Sequence, residues 1–226
     1  MSTAPVEQGI TGGDVRPQRA DARRNRERLV AAATEVFAER GADAGVAEIA
    51  RRAGVGAGTV HRHFPTKHEL LLAALERRFD ELQRALAHAE TMDDGWEGLV
   101  HVLTACAELQ ARDRGFLESV GPELFGEPRL QARNAEYMAS IEALIARTQR
   151  AGLVRHDLAA EDLPFLISAV GGATAKCGGT SLSPDLWRRY LGIVLDGIRP
   201  AGATELPVPA PTMTQLTATC RAAATD

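Results

Sequence analysis

Thr59, His61, Arg62, His63 and Lys67 lie close together, and the run Arg19, Arg23, Arg24, Arg26 and Arg28 precedes them. Cations and hydroxyls at this density neutralise phosphate, and an arginine on a helix can reach base edges in a major groove. Thr59 and Lys67 suit phosphate, and Arg62 lies where bases would be read. Gly56, Ala57 and Gly58 just before them have no hydrogen-bonding side chain. Base discrimination must therefore rest on Arg62, Thr59, the histidines, apolar contact with thymine methyls, or DNA shape. Other chemistries fit less well. His61 and His63 would point roughly 200° apart on a helix, so with His68 they make no metal set. Cys106, Cys177 and Cys220 are far apart and odd in number, which excludes a disulfide framework and zinc spacing and leaves buried thiols as the default. No nucleophile is spaced with a base, and no acid is paired with a base. Neither catalysis nor a cofactor is expected.

Residues of this kind act only when an element holds them, and 46–69, VAEIARRAGVGAGTVHRHFPTKHE, reads as a helix-turn-helix. Ile49, Ala50 and Ala53 form one apolar face, Gly54 supplies the turn, and Val60 anchors a second helix. That helix projects Ala57, Gly58, Thr59, His61, Arg62 and His63 toward a groove. Upstream, Leu29, Ala32, Ala33, Val36 and Phe37 make the stripe of an amphipathic helix that Gly41 ends. Downstream, Thr66 and Glu69 have capping-box spacing, and Leu71, Ala74, Leu75, Phe79, Leu82 and Leu86 carry a long helix to about His88. Charge follows the same division. Residues 16–67 hold eleven Lys or Arg against six Asp or Glu, a net of +5, whereas the remainder is −9. A basic head on an acidic body is the footprint of one end meeting phosphate.

RERLVAAATEVFAERG followed by VAEIARRAGVGAGTVHRHFPTKHELL resembles the amino-terminal DNA-binding domain of TetR-family transcriptional regulators over about residues 23–72. The resemblance implies a three-helix head, a fourth helix leading to an all-helical body, and a homodimer whose body binds a small molecule. The chain departs from the usual pattern at Gly45 and Gly56, where Thr or Ser caps are common, and at His61, where Tyr is common. The expected DNA-contacting set is Arg23, Arg24, Arg26, Gly56, Ala57, Gly58, Thr59, His61, Arg62, His63 and Lys67.

Beyond residue 90, periodicity carries the reading. One helix is expected from Trp96 to near Arg112 and a short one between Gly115 and Gly126. A long one from Leu130 is closed by Gly152 and Leu153, and a nearly all-apolar one runs from Ala160 to about Lys176. A last helix follows Ser183-Pro184 as N-cap and first-turn proline. Trp96, His101, Cys106, Phe116, Phe125, Tyr137, Met138 and Phe165 are candidates for lining a cavity, with Asn134 among the polar handles on apolar faces. Leu166, Val170, Ala173, Trp187, Tyr190, Leu191 and Val194 are candidates for a dimer interface. Gly171, Gly172 and Ala173 fit close helix approach rather than a phosphate loop, since no strand precedes them.

The expected architecture is all-α: a three-helix helix-turn-helix DNA-binding head joined by a long helix to a helical-bundle ligand-binding and dimerisation body. Residues 1–20 read as a disordered arm, 21–67 as the DNA-binding domain, 68–199 as the effector-binding and dimerisation domain, and 200–226 as a flexible tail. No membrane span or apolar leader is seen, so a cytoplasmic location is expected. The expected partners are double-stranded operator DNA, a small-molecule effector and a second copy of the chain. The function expected is a ligand-released repressor on a palindromic site. The alternatives are a regulator whose body binds only protein, an activator, and, least favoured, a helical enzyme with a DNA-binding head.

Overall fold

The computed structural model describes residues 15–119, 124, 126–175, 183 and 185–215, with side chains at 21–113, 124, 126–171, 183 and 185–215. The described elements are helices: α1 (Val15–Arg40), α2 (Val46–Ala53), α3 (Ala57–His63), α4 (Lys67–Glu90), α5 (Gly95–Ser119), α6 (Pro128–Arg150), a 3-10 turn (Ala160–Asp162), α7 (Leu163–Ala175) and α8 (Leu186–Gly197). Among the described residues none is long and apolar enough to cross a membrane.

Local chemistry sets the boundaries. Gly41 and Gly54 have φ of 75° and 70°, conformations that glycine adopts without steric cost, and they end α1 and α2. The amide of Gly54 bonds back to Ala50 and Arg51, so the chain turns at once into α3. Thr66 caps α4 with its Oγ1 accepting from the Glu69 amide at 3.1 Å, while the Glu69 carboxylate accepts from the Thr66 amide at 3.4 Å. This capping box satisfies two donors that a helix start leaves over. At the end of α6, Gly152 and Leu153 bond back to Gln149 and Thr148, the glycine-closed ending expected there.

Two cores share α4. The first gathers Leu29, Val36, Phe37, Ile49 and Val60 of the head around Leu70, Ala74 and Leu75 of α4. The second gathers Leu86 of α4 with Leu99, Leu103, Ile141, Ile145, Ile167 and Trp187 of the body. Between them lies Arg78, 3% exposed, donating from Nε to Asp113 Oδ2 at 2.7 Å; Asp113 is 1% exposed. At Asp113 the backbone of α5 leaves helical values (φ −107°, ψ 15°). The helix ending read near Arg112 is thus a kink, after which α5 continues to Ser119.

Three expectations are revised. α1 begins at Val15, within the stretch read as an arm. α8 is capped at Asp185 rather than Ser183, whose Oγ instead accepts from the Asp185 amide at 3.2 Å. The tail from 200 to 215 is tied to the body and not loose. Arg155 clasps Asp157 at 2.5 and 2.8 Å and donates to the Thr204 carbonyl, and the Leu206 amide donates to Asp157 at 3.2 Å. Met213 then packs on the body core, next to a second capping arrangement between Thr212 and Gln215.

Removing one partner of a buried ion pair strands the other charge without water. Asp113→Ala should therefore lower unfolding free energy by about 3–5 kcal/mol, whereas Arg78→Met with Asp113→Leu should recover most of that loss. Urea titration of the single and double variants measures both.

Candidate nucleic-acid interface and body cavity

α3 is held by a single buried anchor, Val60, at 1% exposure. Around it Ala57, Gly58, His61 and Arg62 are exposed, and Thr59 and His63 are half-buried. Gly56 is the N-cap and offers no side-chain cap, as Gly45 offers none to α2. A β-carbon at Gly56 or Gly58 would meet nothing within 4 Å, so the fold does not require glycine at either position. Their smallness is available to whatever approaches the start of α3.

The cations of the head fall into two groups. Arg52 is held by Glu39 at 2.6 Å and Glu35 at 3.3 Å, which raise its guanidinium pKa and lower that of the Glu39 carboxyl through the hydrogen bond. Arg40 and Arg51 share Glu48, and Arg28 donates to the Ala53 carbonyl at 2.9 Å beside Gly54. Arg26 stacks over Phe64 at 4.9 Å. These contacts tie α1 to α2 and to Phe64 at the end of α3, or join residues within α2. Arg23 and Arg24 lie further along α1, paired with Glu27 and Asp21 through exposed contacts that cost little to exchange for phosphate. Arg62 and Lys67 belong to the second group: among the described side chains of the head they are the cations left without an intramolecular partner. Arg62 stands on the exposed face of α3, and Lys67 is the first residue of α4, where the helix start adds its own positive field.

The body contains a cavity of about 300 Å³ between α4, α5, α6 and α7. Leu75, Arg78, Phe79 and Leu82 form its α4 wall, and Cys106, Leu109, Gln110, Asn134, Tyr137, Met138, Ile141, Leu163, Pro164 and Ile167 complete it. Three of the residues expected to line a cavity, Cys106, Tyr137 and Met138, do so together. Cys106 Sγ and Tyr137 Oη are 3.1 Å apart. Burial pushes the thiol up to about 11 and the phenol higher still, so both stay neutral and protonated.

Three of the other five candidates lie elsewhere. Trp96 is capped by Arg199 at 3.5 Å, and His101 packs edge-on against His88 at 5.0 Å, both toward the far end of the body. Phe165 is 48% exposed on the outside of α7. Phe116 and Phe125 lie outside the described side chains. Leu75, Arg78, Phe79, Leu82 and Gln110 are cavity residues that the sequence reading did not single out as such. For those on α4 the signal was present, because they sit on the helix's own apolar stripe.

Of the expected interface residues, Val170, Trp187 and Leu191 are buried in the protomer's own core, at 2–4% exposure, because the inner faces of α7 and α8 close the body. Leu166, Tyr190 and Val194 are half-buried, and Ala173 lies outside the described side chains. No group of three or more His, Cys, Asp or Glu that could hold a metal ion occurs among the described residues.

A helix-turn-helix with an exposed second helix, joined to a helical body by one long helix, defines a DNA-binding transcriptional regulator. Residues 29–74 match the model of bacterial regulatory proteins of the tetR family, and residues 94–200 match a transcriptional regulator SbtR-like carboxy-terminal domain. The chain is 32% identical to a TetR transcription regulatory protein from Mycobacterium vanbaalenii, covering 81% of this chain and 99% of that one with a TM-score of 0.56. It is 26% identical to the TetR regulator SCO0520 from Streptomyces coelicolor, with coverage of 78% and 99% and a TM-score of 0.61. The chain belongs to the TetR family of transcriptional regulators. It is also similar to the transcriptional activator FasR of Mycolicibacterium smegmatis, 43% identical over 79 residues, which are 34% of this chain and 36% of that protein. The curated relatives it matches are covered over only 36% to 61% of their own length.

Lys67→Ala should weaken binding to every duplex and flatten the dependence of log K on log salt by about one ion. Arg62→Ala should change the order of preference among duplexes, by about 1–3 kcal/mol at the base it reads. Fluorescence anisotropy across salt concentrations and sequence variants separates the two. An unchanged salt slope would remove Lys67 from the phosphate contacts, and equal loss on all sequences would remove Arg62 from base reading.

Proposed function

We propose that the protein is a homodimeric repressor that binds a palindromic operator and is released by a small, mostly apolar effector held in the body cavity. The observation that carries this reading is that four cavity residues belong to α4, the helix whose first turns are packed into the DNA-binding head. A ligand there touches the element that positions Lys67 and supports α3. It would act by binding the DNA-incompetent arrangement more tightly, since only a difference in affinity between two states can shift their balance. Two heads presented by a twofold dimer would meet half-sites near multiples of about 34 Å. The dimer face in this reading is the outer side of α7 and α8, with Phe165 and Ile193, 48% and 57% exposed, joined by Leu166, Tyr190 and Val194.

An activator has one observation in its favour, the likeness to a relative described as a transcriptional activator. Both readings share the same head and cavity, and they separate by the sign of the transcriptional response.

Operator sequences selected from random duplexes supply the test. Compounds that release the selected duplex should lose their effect on an Ile167→Trp variant, which fills the cavity, while its DNA affinity stays within about twofold. Phe165→Asp with Ile193→Asp should sediment as a monomer and bind the full site weakly. A reporter bearing the selected site should rise when the protein is removed; a fall would establish the activator instead.

A further inference from the structure

We propose that the cavity takes an uncharged ligand, apolar over most of its surface, with one hydrogen-bonding group such as an amide, carbonyl or hydroxyl that the side-chain amides of Gln110 and Asn134 recognise. The proposal rests on the reading of the body as a ligand-binding domain and narrows the class of ligand.

Charge on the wall is the first observation. Among the described residues Arg78 is the charged side chain lining the cavity, and it is already committed to Asp113 at 2.7 Å. Asp113 also accepts from Arg112 at 3.2 Å, and Glu81 pairs with Arg112 at 2.7 Å and with Arg77 at 3.6 Å, so the charged groups around Arg78 already have partners among themselves. An anionic ligand reaching Arg78 would sit beside the Asp113 carboxylate, which is 1% exposed, and like charge would meet like charge away from water. A cationic ligand would find no carboxylate on the described wall. Either ion would exchange water for a mostly apolar surface without a free counter-charge.

Hydrogen-bonding capacity is the second. Tyr137 and Cys106 are occupied with each other, and their raised pKa values keep both neutral. Gln110 of α5 and Asn134 of α6 are half-buried on the same wall, and neither side-chain amide makes a hydrogen bond to another described residue. Each amide offers two donors and a carbonyl acceptor. They are uncharged polar groups of the cavity wall, and they suit a neutral partner that can accept or donate.

The third observation concerns placement. A β-carbon at Gly171 of α7 would lie 2.5 Å from Gln110 Cγ, so the stem of Gln110 runs against α7 only because that residue is glycine. The close approach read into this glycine from the sequence therefore leaves the room in which Gln110 lies on the wall. At about 300 Å³ the cavity is at the small end of ligand pockets.

The experiment uses the full chain and three competitors with the same ten-carbon chain: decanamide, decanoate and decylamine, which at pH 7.5 are neutral, anionic and cationic. Each is titrated against cavity-bound N-phenyl-1-naphthylamine, with fluorescence as the readout and the Ile167→Trp variant defining signal from outside the cavity. Decanamide should displace the probe at a concentration at least tenfold lower than either ion. In Gln110→Leu with Asn134→Leu that advantage should fall to threefold or less, with helicity and affinity for the selected duplex unchanged. Should that variant fail to fold, the charge series on the unaltered protein decides. Decanoate or decylamine competing as well as decanamide would overturn the proposal while leaving a ligand-binding body intact. No cavity-dependent binding of the naphthylamine or of any competitor would overturn both.

Discussion

The ion pair between Arg78 and Asp113 lies on α4 between the head core and the body core, and the joint there depends on it. Burial lowers the pKa of Arg78, and the hydrogen bond to Asp113 opposes that effect, so the charged arginine persists there because its partner does. The kink in α5 falls at the residue whose carboxylate reaches both Arg78 and Arg112. A hydrophobic pair could pack such a joint at equal or lower cost. An ion pair adds direction, because it fixes one face of α4 against one point of α5. Arg78 also lines the cavity, so the joint and the cavity share an atom-level boundary.

The head divides its positive charge between building and binding. Arg28 and Arg52 are spent within the fold, on the Ala53 carbonyl and on Glu35 and Glu39, and hold α1 to α2, whereas Arg40 and Arg51 share Glu48 through exposed contacts. The net charge of the amino-terminal region therefore overstates what is free to meet DNA. What remains at the reading surface is Arg62, Lys67, the histidines and Thr59, beside a start of α3 with hardly any side chains. Affinity on such a surface comes from phosphate and helix-terminus contacts, and sequence preference has few groups to rest on. Open space over Gly56 and Gly58 permits close approach to DNA without specifying a base.

Much of the fold was legible because it is written in short-range rules. Gly41, Gly54 and Gly152 stop helices where a positive φ is needed, Thr66 and Glu69 start one, the apolar stripes of α1 and α6 bury as their spacing requires, and that of α4 buries Ala74, Leu75 and Leu86 while Leu71, Phe79 and Leu82 are half-buried. What failed needed the third dimension. Spacing marks a helix face as apolar, yet it cannot say whether the neighbour is the same protomer or another, so Trp187 and Leu191 read as interface and lie in the core. Aromatic type does not report position along a bundle, which is why Trp96 and His101 are far from the cavity that Cys106 and Tyr137 line. Arg78 continues the stripe of Leu71, Leu75 and Leu82, and a charge there signals a buried partner; only the fold identifies Asp113. The tail looked mobile from its prolines, but Asp157 and Arg155 hold it through backbone groups that composition does not reveal.

The body grips the head at a second point, and this limits how a ligand could act. Leu124 and Leu130, from just before and within α6, belong to the head core, and His68 at the start of α4 meets Glu127, the N-cap of α6, at 2.9 Å. Arg129 and Arg133 pair with Glu76 and Asp80 further along α4. The head is thus fastened to α4 by continuity and packing, to α5 through α1, and to α6 through Leu124, Leu130 and His68, and a swing about α4 alone would tear the other attachments. Two of these helices supply most of the cavity wall, α4 through Leu75 to Leu82 and α6 through Asn134 to Ile141. A ligand that changes the separation of α4 and α6 would therefore strain both attachments together. A coupling of about 1–3 kcal/mol, the usual size between linked sites, is within reach of a few such exposed pairs and one buried leucine contact. The size of the response would then be set by how stiffly α4 and α6 are cross-linked, more than by how tightly the ligand binds.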